Sequence, residues 1–465
     1  MNISTFLGLG IGQSALDAAQ QTENVIGQNI ANASTPGYVR ETANAGEATP
    51  FPQIPSMNAP AVAGQMGQGV QITSITRNVS SFFDQQDRSN QSALQQFKSL
   101  NQGLQQVEGI LNEPSSQSLQ ASFDGFVSSW QTLSSNPSST AARETVIAQA
   151  QQLAETFQTA TTQLEALQQN TAGQIQNQVS MINSYTAQIA SLNQQIAVVK
   201  ADGANPNTLQ DQRGMLLDQL SQLAAFTYTE SSNGSVSLTI GSAASSSNPN
   251  AITVRQVSGA STTSQSVTVS GGQIAGEQST LAEIQSVLSS LNAFLTSLSS
   301  TVNSAQASGY AYNSSAHGPN MFQTGVGGGP TVDAAGNVVL QVPSSFTPGD
   351  VAAAGQPNSP GDNSNAVALV QQFQQSQSAL NNGNFNQYLA GMVSQLGVQA
   401  AAAQSSYNTA NALSQQSSQM RQSVEGVNVN DEAAKMVQVQ TAYNAAAKYF
   451  SVYAGMLQTL ISSVP

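Results

Sequence analysis

The chain has 465 residues, enough for roughly two to four domains, yet only 8% of them are charged, where an average globular protein has roughly 25%. Net charge is −13, and 11 Lys plus Arg are spread thinly, which argues against nucleic acid and against an anionic membrane surface as partners. Cysteine is absent, which excludes disulfides, thiolate chemistry and most zinc sites.

Residues 3–33 read as one helix with two stripes. Leu9, Gly12, Leu16, Ala19, Ile26 and Ile30 form the first, interrupted by Glu23; Ile11, Ala15, Ala18 and Val25 form the second. Small residues on both stripes allow close approach from more than one direction, and Pro36-Gly37 ends the helix. Residues 39–78 read as extended arms and strands. From Ser80 to Ala224 the spacing is helical, with breaks at Asn112-Glu-Pro114, Asn136-Pro137 and Asn205-Pro206, and the long sparse helix from Thr140 to Lys200 suggests a bundle.

Residues 225–277 alternate as strands, with Asn233-Gly234 as a hairpin signal. Helix returns over 279–305. Residues 309–362 are Gly/Pro-rich, with one hairpin expected around Ala335-Gly336, and helix resumes from Asn365 to about Val424. In the last segment Met436, Tyr443, Phe450, Leu457 and Val464 recur every seven residues, and Val439, Ala446, Tyr453 and Leu460 follow three residues after them. That is a heptad seam, or else an ordinary core-facing helix. The fold class is mainly α with β insertions. Three domains are expected: 1–78 plus 425–465 as a terminal-helix domain, 79–224 plus 278–308 plus 363–424 as a helical bundle, and 225–277 plus 309–362 as a β-rich outer domain.

Nothing in the sequence assembles a reaction centre. His317 is the single histidine and lies in a Gly/Pro-rich loop, where solvent is its expected partner. Gly8-x-Gly10-x-Gly12 and Gly327-Gly328-Gly329 lack the strand-turn-helix context of a nucleotide loop and read as flexible backbone. Asp431-Glu432 stands at a helix start, where acids cap free N–H groups. No catalytic, metal or cofactor residue is nominated. The candidate functional residues are those of an assembly seam: Leu9, Leu16, Ile26 and Ile30 near one end, and Met436, Tyr443, Phe450, Leu457, Leu460 and Val464 near the other.

Asn29-Ile-Ala-Asn-Ala-Ser-Thr-Pro-Gly-Tyr38 resembles the N-terminal signature of the axial proteins of the bacterial flagellum. Val427-Asn-Val-Asn-Asp-Glu432, Gln440-Thr-Ala-Tyr-Asn-Ala-Ala446 and Leu457-Gln-Thr-Leu460 resemble their C-terminal partner segment. Ile110-Leu-Asn-Glu-Pro-Ser-Ser116, Phe126 to Trp130, Ala141-Ala-Arg-Glu144, Asp211-Gln-Arg-Gly-Met-Leu-Leu-Asp218, Ser270-Gly-Gly-Gln-Ile274 and Gly361-Asp-Asn-Ser-Asn-Ala366 are similar to the FlgK-type family of hook-filament junction proteins. Gly214 departs from the acid usual there.

This resemblance implies a non-enzymatic subunit that joins hook to filament in a ring of copies of itself. Its implied partners are the hook protein, the second hook-associated junction protein and an export chaperone at the C-terminal segment, with no nucleic acid and no membrane insertion. It also implies export by the flagellar type III apparatus to the cell exterior without a cleaved signal. The first basic residue, Arg40, stands too late for a signal peptide's positive region, and no stretch approaches the roughly 20 apolar residues of a membrane span. A hook or distal-rod protein, an axial protein with an enzymatic insertion and a secreted adhesin are the alternatives. Exposing a free heptad seam is costly, so the terminal helices are expected to order on assembly.

Overall fold

A computed structural model describes residues 6–50, 67–111, 118–244, 251–325 and 328–462. The break expected at Asn112-Glu-Pro114, with the rest of its motif to Ser116, lies outside the described residues, as do Gly327 and Val464. The chain divides into two compact units, one of residues 1–92, 180–270 and 411–465, the other of residues 93–179 and 271–410.

In chain order the elements begin with α1 (Leu7–Ala31), the strands β1 (Glu41–Glu47) and β2 (Val70–Arg77), and α2 (Ser81–Leu111). Then come α3 (Leu119–Ser135), α4 (Thr140–Ala201) and α5 (Asn207–Leu223). The strands β3 (Phe226–Glu230), β4 (Val236–Ile240), β5 (Ser242–Ala243), β6 (Ile252–Ser258) and β7 (Ser261–Thr268) follow. The last helices are α6 (Gly272–Ser308), α7 (Ser364–Gln374), α8 (Phe385–Glu425) and α9 (Val429–Ser462). The chain is therefore mainly α with β insertions.

The second unit is held by aromatic side chains. Phe123 meets Phe294, Phe373 and Phe385 at centroid distances of 5.4, 5.8 and 5.5 Å, and Phe157 stacks on Phe294 at 5.2 Å. Edge-on and offset rings add to the area they bury. Met321, Phe322, Val338, Leu340, Val351 and Ala353 enter this same buried cluster. Residues 309–362 thus pack as a loop-rich part of the helical unit, whereas the strands of 226–268 fall in the first unit. The expected outer domain joining 225–277 with 309–362 is not one unit. Short apolar runs found cover on nearby helices instead of on each other. The hairpin expected at Ala335-Gly336 shrinks to one bridge, Val332 with Val338, turned by Gly336 at φ 88°.

The helix expected from Asn365 to Val424 is interrupted between α7 and α8. Asn381 and Asn382 adopt left-handed backbone at φ 53° and 61°, which Asn tolerates better than most residues.

In the first unit the sheet order is β3-β4-β6-β7-β5, and the β3–β4 turn carries Gly234 at φ 79°. Val236, Leu238 and Ile240 alternate inward on β4. Asn193 of α4 binds the sheet directly: its amide donates to Val236 O and Gly259 O, both at 2.7 Å, and accepts from Val236 N at 3.0 Å. The terminal part of the same unit is the α1–α9 pair with the antiparallel hairpin β1–β2.

Candidate assembly surface

Helices α1 and α9 run antiparallel. Gly8 faces Tyr453, Gly12 faces Tyr449 and Phe450, and Asn29 meets Glu432 at the other end. A Cβ on Gly12 would stand 3.3 Å from Phe450 Cβ, and one on Gly8 would overlap the Tyr453 ring. These glycines, read in sequence as flexible backbone, sit inside the helix and let two backbones approach. The second stripe of α1 meets the hairpin: Ile11 approaches Gly69, the neighbouring Ser14 Oγ accepts from Val70 N at 3.3 Å, and Ala18 and Val25 are buried. Two stripes therefore have two partners. Glu23, the interruption, accepts from Gln440 Nε2 at 3.3 Å and ties the helices across their polar edge.

The far end of the pair closes on a buried amide. Asn29, 1% exposed, uses all four of its hydrogen-bonding positions. Its Nδ2 donates to Glu41 O at 2.9 Å and to Glu432 Oε2 at 3.0 Å; its Oδ1 accepts from Glu41 N at 2.9 Å and Tyr38 Oη at 2.8 Å. Glu432, also 1% exposed, accepts from Lys435 Nζ at 2.6 Å on its other oxygen. Burial, reinforced by the charges of Glu41, Asp211 and Glu432, pushes the Tyr38 phenol well above its ordinary pKa, so it stays a donor. Sequence reading assigned Glu432 to capping. The cap is Asn428, whose Oδ1 accepts from Asn430 N at 3.0 Å, and Glu432 is the partner of Asn29.

Of the nominated seam residues, Ile26 is buried, while Leu9, Leu16, Ile30, Met436, Phe450 and Leu457 are half-buried. Tyr443 is 39% exposed, and Leu460 lies in α9. A second stripe escaped notice. Val437, Val452 and Met456 fall on another face of α9, with Val452 54% and Met456 62% exposed. Their spacing of fifteen and four residues was visible, but the stronger heptad beside it masked it.

Where α8 ends, a charged cluster anchors the pair to the body of the first unit. Arg421 reaches Asp84 at 2.8 Å, Asp218 at 2.9 Å and Glu425 at 2.8 Å; Arg88 reaches Asp218 at 2.7 Å. Ser417 Oγ donates to Asp87 at 2.8 Å. Burial, with Asp84 repelling it, pushes Glu425 up to about 7 despite Arg421 beside it. An adjoining cleft of about 420 Å³ is lined by Arg77, Asp84, Arg88, Asp211, Arg213 and Asp218 among others. These charges are spent on each other, Arg77 with Asp211 at 2.5 Å for example, which suits a structural joint better than a ligand site. Among the described residues no group of three His, Asp or Glu side chains is placed to hold a metal ion. His317 is exposed, but its ring stacks on Tyr310 at 4.5 Å and its Nδ1 lies 3.0 Å from Gly309 O.

Three families match by sequence. Residues 9–38 match the flagella basal body rod protein family, and residues 421–463 match the C-terminal family of basal body rod FlgEFG proteins. Residues 104–322 match the helical domain of the flagellar hook-associated protein FlgK. Across these stretches the chain is similar to the FlgK family. Flagellar hook-associated protein 1 of Bacillus subtilis is 38% identical over 220 residues, 47% of this chain and 43% of that protein. The Salmonella typhimurium protein of the same name is 31% identical over 229 residues, 49% of this chain and 40% of its own. The matched stretches thus span less than half of those relatives. The fold resembles the flagellar hook junction protein FlgK from Burkholderia pseudomallei, with TM-score 0.59 and 19% identity, over 73% of this chain and all of that one.

The run from Asp211 to Asp218, inside the stretch similar to the FlgK helical domain, works as a joint. Asp211 takes Arg77 and accepts from Val39 N at 3.5 Å; Arg213 donates to Asn193 Oδ1 at 3.1 Å and to Gly234 O at 2.5 Å; Asp218 takes Arg88 and Arg421. Gly214, the departure from the FlgK pattern, has open space where a Cβ would stand. No helix among the described residues is long and apolar enough to cross a membrane.

Proposed function

We propose that this chain is a structural, non-enzymatic subunit of the bacterial flagellum that forms the junction ring joining hook to filament. The observation that carries this reading is α9: one face is seated on α1, and the other presents Val437, Val452 and Met456 to solvent. An apolar stripe on a helix already half-packed is suited to a neighbouring copy. On this reading 1–78 plus 425–465 form the axial terminal-helix domain of the inner tube. The ring would meet the hook protein on one side and the second junction protein on the other. An export chaperone would cover the C-terminal segment beforehand, and the type III apparatus would carry the subunit out. The low charge of the surface supports close stacking of identical chains.

A deletion strain tests the reading. Cells lacking the chain should keep hooks, lack filaments and release flagellin into the medium. Hookless cells would transfer the assignment to a hook or distal-rod protein, and fully flagellated cells would remove it from the axial structure.

A further inference from the structure

A heptad seam does not define its own register. Sliding α9 by seven residues would place Gly12 opposite Tyr443 or Leu457 in place of Phe450, and the interface would remain apolar. The three-residue linker Gly426–Asn428 already spans the gap between α8 and α9, so a slip of about 10 Å away from α8 also needs the first turn or so of α9 to unwind. The clasp prevents the slip. Moved one way, Asn29 faces Val439, which offers no side-chain acceptor; moved the other way, it passes the start of α9 at Val429. In either case a buried amide, satisfied at four points in the native register, loses a partner.

We propose that Asn29 is a positioning residue whose hydrogen bond to Glu432 selects the register of the terminal helix pair, while its two bonds to Glu41 fix that register to the β1 arm. A polar contact buried in an otherwise permissive seam is well suited to this role. The consequence for function rests on the assembly reading above: a slipped α9 would carry Val452 and Met456 about 10 Å from where a neighbouring copy meets them.

The chain has no cysteine, so introduced pairs report register cleanly. Gly12→Cys with Phe450→Cys reads the native register, since their Cβ atoms would lie 3.3 Å apart, close to disulfide range. Gly12→Cys with Tyr443→Cys or with Leu457→Cys reads the slipped ones. With Asn29 present the slipped pairs should cross-link at about a twentieth of the native yield or less, and Asn29→Ala should raise them to about a third. Asn29→Asp should slip as well, because it sets a carboxylate against Glu432 and Glu41 O. Adding Glu432→Gln to Asn29→Asp should restore native preference about tenfold, since the new amide donates to the carboxylate. A space-filling role would not respond to that second change. Cross-linking confined to the native pair in Asn29→Ala, loss of every cross-link there, or absence of the rescue each overturns the proposal. These cross-links form within one chain and read register whether or not it polymerises. A slipped register in cells that still build filaments would sink the assembly reading alone.

Discussion

Arg421 and Glu425 show how few charges this chain spends and where it spends them. Of 35 charged residues, 11 basic and 24 acidic, six converge at the end of α8: Asp84, Asp87, Arg88, Asp218, Arg421 and Glu425. Four carboxylates face two guanidiniums, so full ionisation leaves the cluster negative. Burial and Asp84 therefore favour the protonated form of Glu425, whose folded pKa rises to about 7. Its folded value exceeds its unfolded one, so the stabilisation is complete below the ordinary carboxylate range and is lost as pH rises through about 7. The thermal midpoint of the purified subunit should fall between about pH 5 and pH 8, by an amount equivalent to about 1–3 kcal/mol, and Glu425→Gln should flatten that fall. Arg421 keeps Asp84, Asp87 and Asp218 in the variant, so the joint stays assembled. An unchanged pH profile in Glu425→Gln would place the titrating group elsewhere.

At the scale of elements, α9 separates two jobs on two faces. Leu457 is half-buried in the seam, whereas Val452 and Met456 lie on the free stripe. A charge at Val452 or Met456 should leave the α1–α9 pair intact, because neither side chain is covered, yet abolish incorporation into the flagellum. Leu457→Asp should break the pair itself, at a cost of about 2–4 kcal/mol for a charge placed in a partly buried seam. The Gly12–Phe450 cysteine pair distinguishes the two: it should cross-link in Val452→Asp and fail in Leu457→Asp. Normal filaments in both Val452→Asp and Met456→Asp would show that the free stripe is not a contact. Helix α9 was legible because its apolar residues recur every seven positions. The helices from α2 to α6 were legible from apolar residues at three- and four-residue spacing. What escaped was whatever depends on a distant partner. The expected grouping of 309–362 with the sheet failed because Met321 and Phe322 go to the aromatic core, which no local pattern announces. Gly12 looked like slack backbone until Phe450 stood beside it, and Glu432 looked like a cap until Asn29 reached it.

At the scale of the whole molecule, the core is unevenly shared. The helical unit buries Trp130, Phe123, Phe126, Phe157, Phe294, Phe322 and Phe385 almost completely. Helix α9 has one buried residue in its entire described length, Glu432, and even Phe450 and Leu457 are only half-covered. A helix pair with so little buried surface gains little from tertiary contact, and isolated helices are marginal in water. The terminal pair should therefore open at far lower free energy than the aromatic core, and the contacts that hold it shut would come from neighbouring copies. Hydrogen exchange on the purified subunit should show fast exchange over α9 and slow exchange over α3 and α6. If the subunit assembles as proposed, α9 should slow in the assembled form by about a hundredfold or more while α3 and α6 change little, because a partner that binds only the closed form shifts the opening equilibrium by its own binding free energy. Equal protection of α9 and α6 in the free subunit would mean that the seam with α1 suffices. The free stripe would then serve binding alone and would not be needed to order the ends.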